Sequence, residues 1–336
     1  MKNIFLKMLL CTIMFSLSFV NYSFGQCCGA GNPISVSGLD NTTDKNNLKI
    51  GLNYRYNYSN KYYENTKKTD VDFPGVLNNS NYNYMSLNAG YGITERLSVK
   101  ADLGFYINKT ENFKNESFDD LTAWGLGDLD LNISYKAYLN KKKGIELAPF
   151  VSVKFPIGRF DQEVDGIKLP ITMQPSSGSF RYTGGLFFYA NLPNDFFLTS
   201  FNFYEYAQRI KSKNFDYKFG NTLYLSVDAN YIAFKFLTVG LQAGYEYKGR
   251  SQRENNQELY GTGYHAISLV PHLTFRIKET YIALAGEVPI FHKVEEIQLV
   301  NTFALRLSVI QNIQFKSKKD KEKQKESERC CPNPTK

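Results

Sequence analysis

Beyond its first twenty-five residues the chain has no hydrophobic run approaching the roughly 20 apolar residues a membrane helix needs. A bilayer then leaves only a closed β-barrel, because every backbone N–H and C=O must be satisfied inside the protein. Histidine is also scarce, with three in 336 residues. A histidine-activated serine needs both side chains within hydrogen-bond reach, and the same-face neighbours of His265 are Gly263 and Ile267. The chain therefore reads as a non-enzyme. The net charge of +8 is not a basic surface: Lys2 and Lys7 fall in the leader, and residues 316–336 hold eight basic against four acidic residues, leaving about +2 for the rest. That argues against a nucleic-acid partner. Residues 26–46 are too few for the plug domain of an energised transporter.

What the chain has is alternation. Tyr54, Tyr56 and Tyr58, then Leu97, Val99, Ala101, Leu103 and Phe105, and finally Leu305, Leu307, Val309, Ile313 and Phe315 repeat one apolar-every-second-residue pattern, the mark of strands with one face in lipid. Mean hydropathy is only −0.37, because lumen and loop residues dilute the lipid-facing half of each strand. Twenty-four tyrosines and 26 phenylalanines suit aromatic girdles at the two interfaces. Residues 1–25 carry Lys2 and Lys7, an apolar core from Met8 to Val20, and Ser23 and Gly25 as small residues before Gln26. They read as a cleaved secretory signal. Gln26 disfavours acylation of Cys27, since a small residue is needed there.

The expected fold is all-β: a transmembrane antiparallel up-and-down barrel of about twelve strands. Candidate strands fall at 47–59, 81–93, 95–108, 126–139, 144–157, 179–191, 195–208, 215–233, 234–249, 261–277, 279–290 and 297–315. Tight connections at Thr94-Glu95, 141–143, 192–194, Ala233-Phe234 and Lys278-Glu279 alternate with longer ones, the longest at 158–178. Short turns belong in the periplasm and long loops outside, so both termini are expected in the periplasm and the barrel in the outer membrane of a Gram-negative bacterium. Four regions follow: a signal peptide at 1–25, a periplasmic segment at 26–46, the barrel at 47–315, and a Lys-rich, acid-interleaved tail at 316–336 that reads as solvated and disordered. Phe315 ends the last strand, where the barrel-insertion machinery reads an aromatic residue.

Parity assigns the faces, since a one-residue slip would exchange lipid and lumen. The inward set carries charge of both signs: Arg55, Lys100, Asp102, Asp128, Asp130, Lys136, Glu146, Lys154, Asp228, Glu246, His272, Arg276, Glu287 and Arg306. His265 is expected outward and His292 in a short outer loop. The charged ring either lines an aqueous path and sets its selectivity or cross-links a narrow, filled barrel; twelve strands lie between filled eight-strand and open sixteen-strand barrels.

Trp124-Gly125-Leu126-Gly127-Asp128-Leu129, followed by an alternating strand and then by the run from Glu146 to Gly158 with its Lys154-Phe155-Pro156-Ile157-Gly158 ending, resembles the bacterial outer-membrane transporter family named for the meta-pathway of phenol degradation. The likeness spans about Leu48 to Phe315. It implies passage of a small molecule, aromatic or otherwise poorly soluble compounds among them, while Gly127 and Gly158 also read simply as glycines at barrel bends.

Cysteine forms two matched pairs, Cys27-Cys28 and Cys330-Cys331, each shortly before an Asn-Pro. Adjacent cysteines close only a strained ring, whereas links between the pairs are geometrically free. Three readings stand: disulfides tying the termini in an oxidising compartment, a four-thiolate site for a soft ion such as Cu(I) or Zn(II), or thiol exchange with a periplasmic partner. No other cofactor is indicated. The functional expectation is a passive channel for a small solute, gated by 158–178; the alternative is a non-conducting barrel that presents the cysteine pairs as a metal or redox site.

Overall fold

A computed structural model describes residues 42–315, apart from 74, 213 and 214. The signal peptide, the Lys-rich tail and all the cysteines of the two pairs lie outside the described residues. Twelve long strands build the wall: β1 (Asn47–Glu64), β2 (Leu77–Gly92), β3 (Leu97–Phe113), β4 (Leu121–Tyr135), β5 (Ile145–Phe155), β6 (Arg181–Asn191), β7 (Phe196–Ala207), β8 (Thr222–Phe234), β9 (Leu237–Lys248), β10 (Tyr264–Ile277), β11 (Thr280–Val294) and β12 (Ile297–Gln314). Each pairs antiparallel with its sequence neighbours, and β12 returns to β1 over the whole stretch from Asn47↔Gln314 to Glu64↔Ile297. The closed ring leaves no sheet edge unpaired in the wall.

The period-2 pattern decides which face is which. Along β8, Thr222, Tyr224, Ser226, Asp228 and Asn230 are buried while Leu225, Val227, Ala229 and Tyr231 are exposed. The exposed apolar set continues round the wall with Leu87, Ile133, Val151, Leu241, Leu284 and Leu305. In water such a belt would be prohibitive, at about 25 cal/mol for each Å² of apolar surface; against lipid it costs nothing. Exposed aromatic residues collect at both ends of the strands, with Trp124, Tyr182, Tyr204, Tyr206 and Tyr247 at one and Tyr135, Tyr138, Phe196, Tyr231, Phe234 and Phe236 at the other. Such girdles mark the two interfaces of a membrane barrel.

One end, the terminal end, carries residues 42–46, the end of β12 and the connections at 93–96, 136–144, 192–195, 235–236 and 278–279. The other carries 65–76, 114–120, 156–180, 208–221, 249–263 and 295–296. Two expectations shift. The turn expected at Ala233-Phe234 lies at Lys235-Phe236, and His292 is on β11 rather than in a loop, its ring 5.2 Å from that of Tyr63. Strands β11 and β12 run on to a two-residue turn in which Glu296 takes the left-handed φ of 56°.

Candidate functional site

The inward faces of the strands enclose a cavity of about 240 Å³, room for about eight waters. Its charged lining is organised into clusters in which two cations share one carboxylate. Arg55 Nη2 lies 3.1 Å from Glu287 Oε2, and Arg306 donates to the same oxygen. Lys154 and Arg181 reach the two oxygens of Glu205 at 3.1 and 2.9 Å. The side chains are 4–13 % exposed, so loss of any carboxylate would leave a buried cation pair to repel itself, the costly case for a buried ion pair.

Of the other charged residues expected inside, Lys100, Asp102, Asp128 and Asp130 line the cavity, with Asp102 accepting from Ser86 Oγ at 3.3 Å. Glu246 accepts from the Tyr264 hydroxyl at 2.7 Å. Asp228 and His272 form a buried pair at 2.9 Å. Lys136 and Glu146 are 3.3 Å apart at the terminal end. Arg276 is not drawn inside: its residue is exposed at the rim, with Nε donating to the Lys278 carbonyl and the guanidinium 5.7 Å from the Tyr281 ring centroid. His265 faces outward against Tyr247, its Nδ1 2.8 Å from the Tyr245 hydroxyl. Among the described residues no group of three or more His, Cys, Asp or Glu side chains is placed to hold a metal ion.

Two features of the lumen are not evident from charge alone. The first is an aromatic wall. Phe150 of β5 stacks on Phe201 of β7 with centroids 5.0 Å apart, Phe201 meets Phe203 at 5.6 Å, and Phe203 stacks on Tyr224 of β8 at 5.4 Å. Phe187 of β6 joins them on the cavity. These rings face in, where alternation leads one to expect polar side chains. Gly185 makes the cluster possible, since a Cβ there would overlap the Phe150 ring.

The second is the segment 156–180, which folds into the barrel. Met173 is fully buried against Ala123 and Leu169. Gln174 ties the segment to itself, accepting from the Gln162 amide at 2.9 Å and donating to the carbonyls of Gln162 and Leu169. Its seat on the wall is Asp128, whose carboxylate accepts from Ser176 Oγ at 2.5 Å, Ser177 Oγ at 2.7 Å and the Ser177 amide at 3.3 Å. Lys109 donates to the Thr172 carbonyl. Gly158 starts the inward course, and a Cβ there would overlap the Leu126 carbonyl oxygen. The Gly127-Asp128-Leu129 and Lys154-to-Gly158 motifs thus meet in one place: the first seats the segment, and the second ends the strand from which it departs.

No family model matches this chain, and no curated protein matches it. A crystallised outer membrane channel from Pseudomonas putida F1 superposes on it with a TM-score of 0.67 at 14% identity, covering 83% of this chain and all of the other. The fold is that of an outer-membrane β-barrel. Weaker likenesses include the KdgM porin, with a TM-score of 0.41 at 12% identity over 78% of this chain and 98% of the porin. Another is a FadL homologue of Pseudomonas aeruginosa, with a TM-score of 0.40 at 10% identity over 87% and 97%.

Parity over-simplified this outer-membrane barrel in two places. Register shifts in the β3–β4 pairing between Tyr106 and Lys109 turn Lys109 and Glu111 inward, where both are buried. Arg181 and Glu205 also face the cavity. Their strands hid this because inward phenylalanines blur the alternation. The signal was present in the pairing Thr183↔Glu205 and Arg181↔Lys154, which puts all three charges on one side.

Proposed function

We propose that this chain resides in the outer membrane of a Gram-negative bacterium, with both termini in the periplasm, and lets a small, partly apolar solute cross without energy input. The observation that carries the reading is the two-sided lumen. Phe150, Phe187, Phe201 and Phe203 line one side of the cavity with apolar rings, and the Arg55–Glu287–Arg306 and Lys154–Glu205–Arg181 clusters offer hydrogen bonds to a polar group on the same cavity. An aromatic ring stacks favourably on such a wall by about 0.5–1.5 kcal/mol beyond its area burial. Selectivity then rests on the lining side chains, and the inward segment 156–180 sets the aperture. The motif resemblance to outer-membrane transporters and the fold likeness to a channel support the same reading.

Planar-bilayer recording of the purified protein is the test. The reading expects small conductance steps that grow when 159–177 is replaced by a short Gly-Ser linker. A barrel silent both with and without the segment would overturn it in favour of a barrel that serves to present its termini.

A further inference from the structure

The five residues ahead of β1 do not leave the barrel. Asn46 donates its amide to the Gly92 carbonyl at 2.9 Å, and Lys45 bridges Gly92 in parallel. Thr43 is 4% exposed, with its amide 3.5 Å from Ser98 Oγ of β3. Asp44 accepts from Lys136 Nζ at 2.8 Å just past β4, and Thr42 Oγ1 donates to Glu146 of β5 at 2.6 Å. Lys49 of β1 holds the Thr42 carbonyl at 2.6 Å. The strap therefore runs inside the terminal mouth from β1 past β2 and β3 to β5. Two glycines clear its course: a Cβ at Gly92 would overlap the Asp44 carbonyl, and one at Gly90 would lie 3.1 Å from Thr43 Oγ1.

Its attachment is unlike that of a strand. Its backbone ties are few, with Lys45 and Asn46 on Gly92, the Asn46 carbonyl on the Phe315 amide and the Asp44 carbonyl on the Asn47 amide; Thr42, Thr43 and Asp44 are otherwise held through the side chains of Glu146, Ser98, Lys136 and Lys49. These few ties can part while the twelve-strand ladder stays intact. The central cation is also arranged for release. Lys136 has a side chain only 4% exposed and would be costly to leave unpaired, yet it keeps Glu146 at 3.3 Å when Asp44 departs. Asp44 itself is 76% exposed in its side chain and can move into water.

We propose that Thr42–Asn46 is a displaceable gate at the terminal mouth, with the Asp44–Lys136–Glu146 cluster as its catch. It is a second constriction, in series with segment 156–180 and separate from it. The proposal rests on the channel reading above, since a gate needs something to gate. Series constrictions fix how it shows itself: freeing the inner segment raises flux part of the way, and the strap then sets what remains.

The experiment is a cycle on the full-length mature protein, measured by bilayer conductance and by liposome swelling with a small sugar. Its members are wild type, Asp128→Ala to free the inner segment, Thr42→Ala with Asp44→Ala to free the strap, and all three together. Heat-modifiable migration on gels verifies the barrel in each. Freeing the strap on the Asp128→Ala background should raise flux about tenfold, equivalent to about 1.4 kcal/mol in the gate equilibrium. Asp44→Glu, which keeps a carboxylate opposite Lys136, should leave flux near that of Asp128→Ala alone. Flux through Asp128→Ala that ignores the strap substitutions would overturn the gate and leave the channel standing. No flux through the triple variant would overturn both.

Discussion

Releasing the inner segment is the perturbation whose size follows most directly from the geometry. Asp128 accepts three hydrogen bonds from Ser176 and Ser177. Each is charge-assisted and contributes about 1.5–3 kcal/mol against an unpartnered group. The donors regain water when the segment swings out, and contributions of this kind do not add fully, so the loss from Asp128→Ala is nearer about 3 kcal/mol than the sum. At 1.4 kcal/mol per factor of ten that shifts the ratio of seated to released segment by about a hundredfold. Asp128→Asn keeps one acceptor oxygen and loses the charge, and about tenfold is expected. Single-channel recording reads the effect as longer open dwell times. Ser176→Ala with Ser177→Ala should give the Asp128→Ala phenotype and add nothing to it, because all act through one joint. Unchanged open times in Asp128→Ala, with the barrel folded, would refute Asp128 as the seat.

Other consequences are separable from gating. Glu205→Gln removes the one carboxylate shared by Lys154 and Arg181 and should destabilise the barrel by about 3–5 kcal/mol, read as a lower urea midpoint in lipid or detergent; no change would mean that solvent already screens the cluster. Val151→Arg, on the lipid face and 61% exposed, should cost about 2–4 kcal/mol in a bilayer and far less in detergent. Asp44 lies outside the strands. Burial raises its pKa, but the hydrogen bond and charge of Lys136, helped by Lys49 and Lys141, outweigh that and hold it lowered. A depressed carboxylate stabilises its ion pair above the ordinary carboxylate range and loses that stabilisation as pH falls through the depressed value. Flux through Asp128→Ala should therefore rise on acidification, and less so once Asp44→Asn is added, with Lys45, Lys49, Glu95, Lys136, Lys141 and Glu146 as the other charges at that mouth. For the cysteine pairs at 27–28 and 330–331, a thiol reagent should label the purified protein only after reduction; labelling without reductant would contradict a disulfide tie.

How far the sequence carried the architecture depends on the strand. Where both faces obey alternation, as in Leu223, Leu225 and Val227 against Tyr224, Ser226 and Asp228, strand, facing and membrane location follow together. Where the lumen itself is apolar, as with Phe201 and Phe203, the signal inverts and Glu205 is lost from view. An irregular register is likewise invisible in a period-2 pattern, which is why Lys109 and Glu111 escaped notice. The loop at 158–178 was expected to gate, but where it is seated, like the strap at 42–46, was beyond reach for a different reason. Their positions are fixed by contacts with residues far off in the chain, Asp128 with Ser176 and Thr42 with Glu146, and no local pattern encodes such pairings. Of the residues in the two motifs, Asp128 and Gly158 bear on how the inward segment is seated.

The central claim is that the phenylalanine wall makes this barrel prefer an aromatic solute, and the most direct measurement is a permeation ratio. Liposome swelling with benzoate and with a sugar acid of similar size, at matched osmolarity and salt, should favour benzoate in the wild type. Substituting Phe201→Ser with Phe203→Ser should abolish the preference while leaving sugar-acid flux unchanged or raised. Equal rates for the two solutes in the wild type, or a preference that survives loss of both rings, would contradict the account.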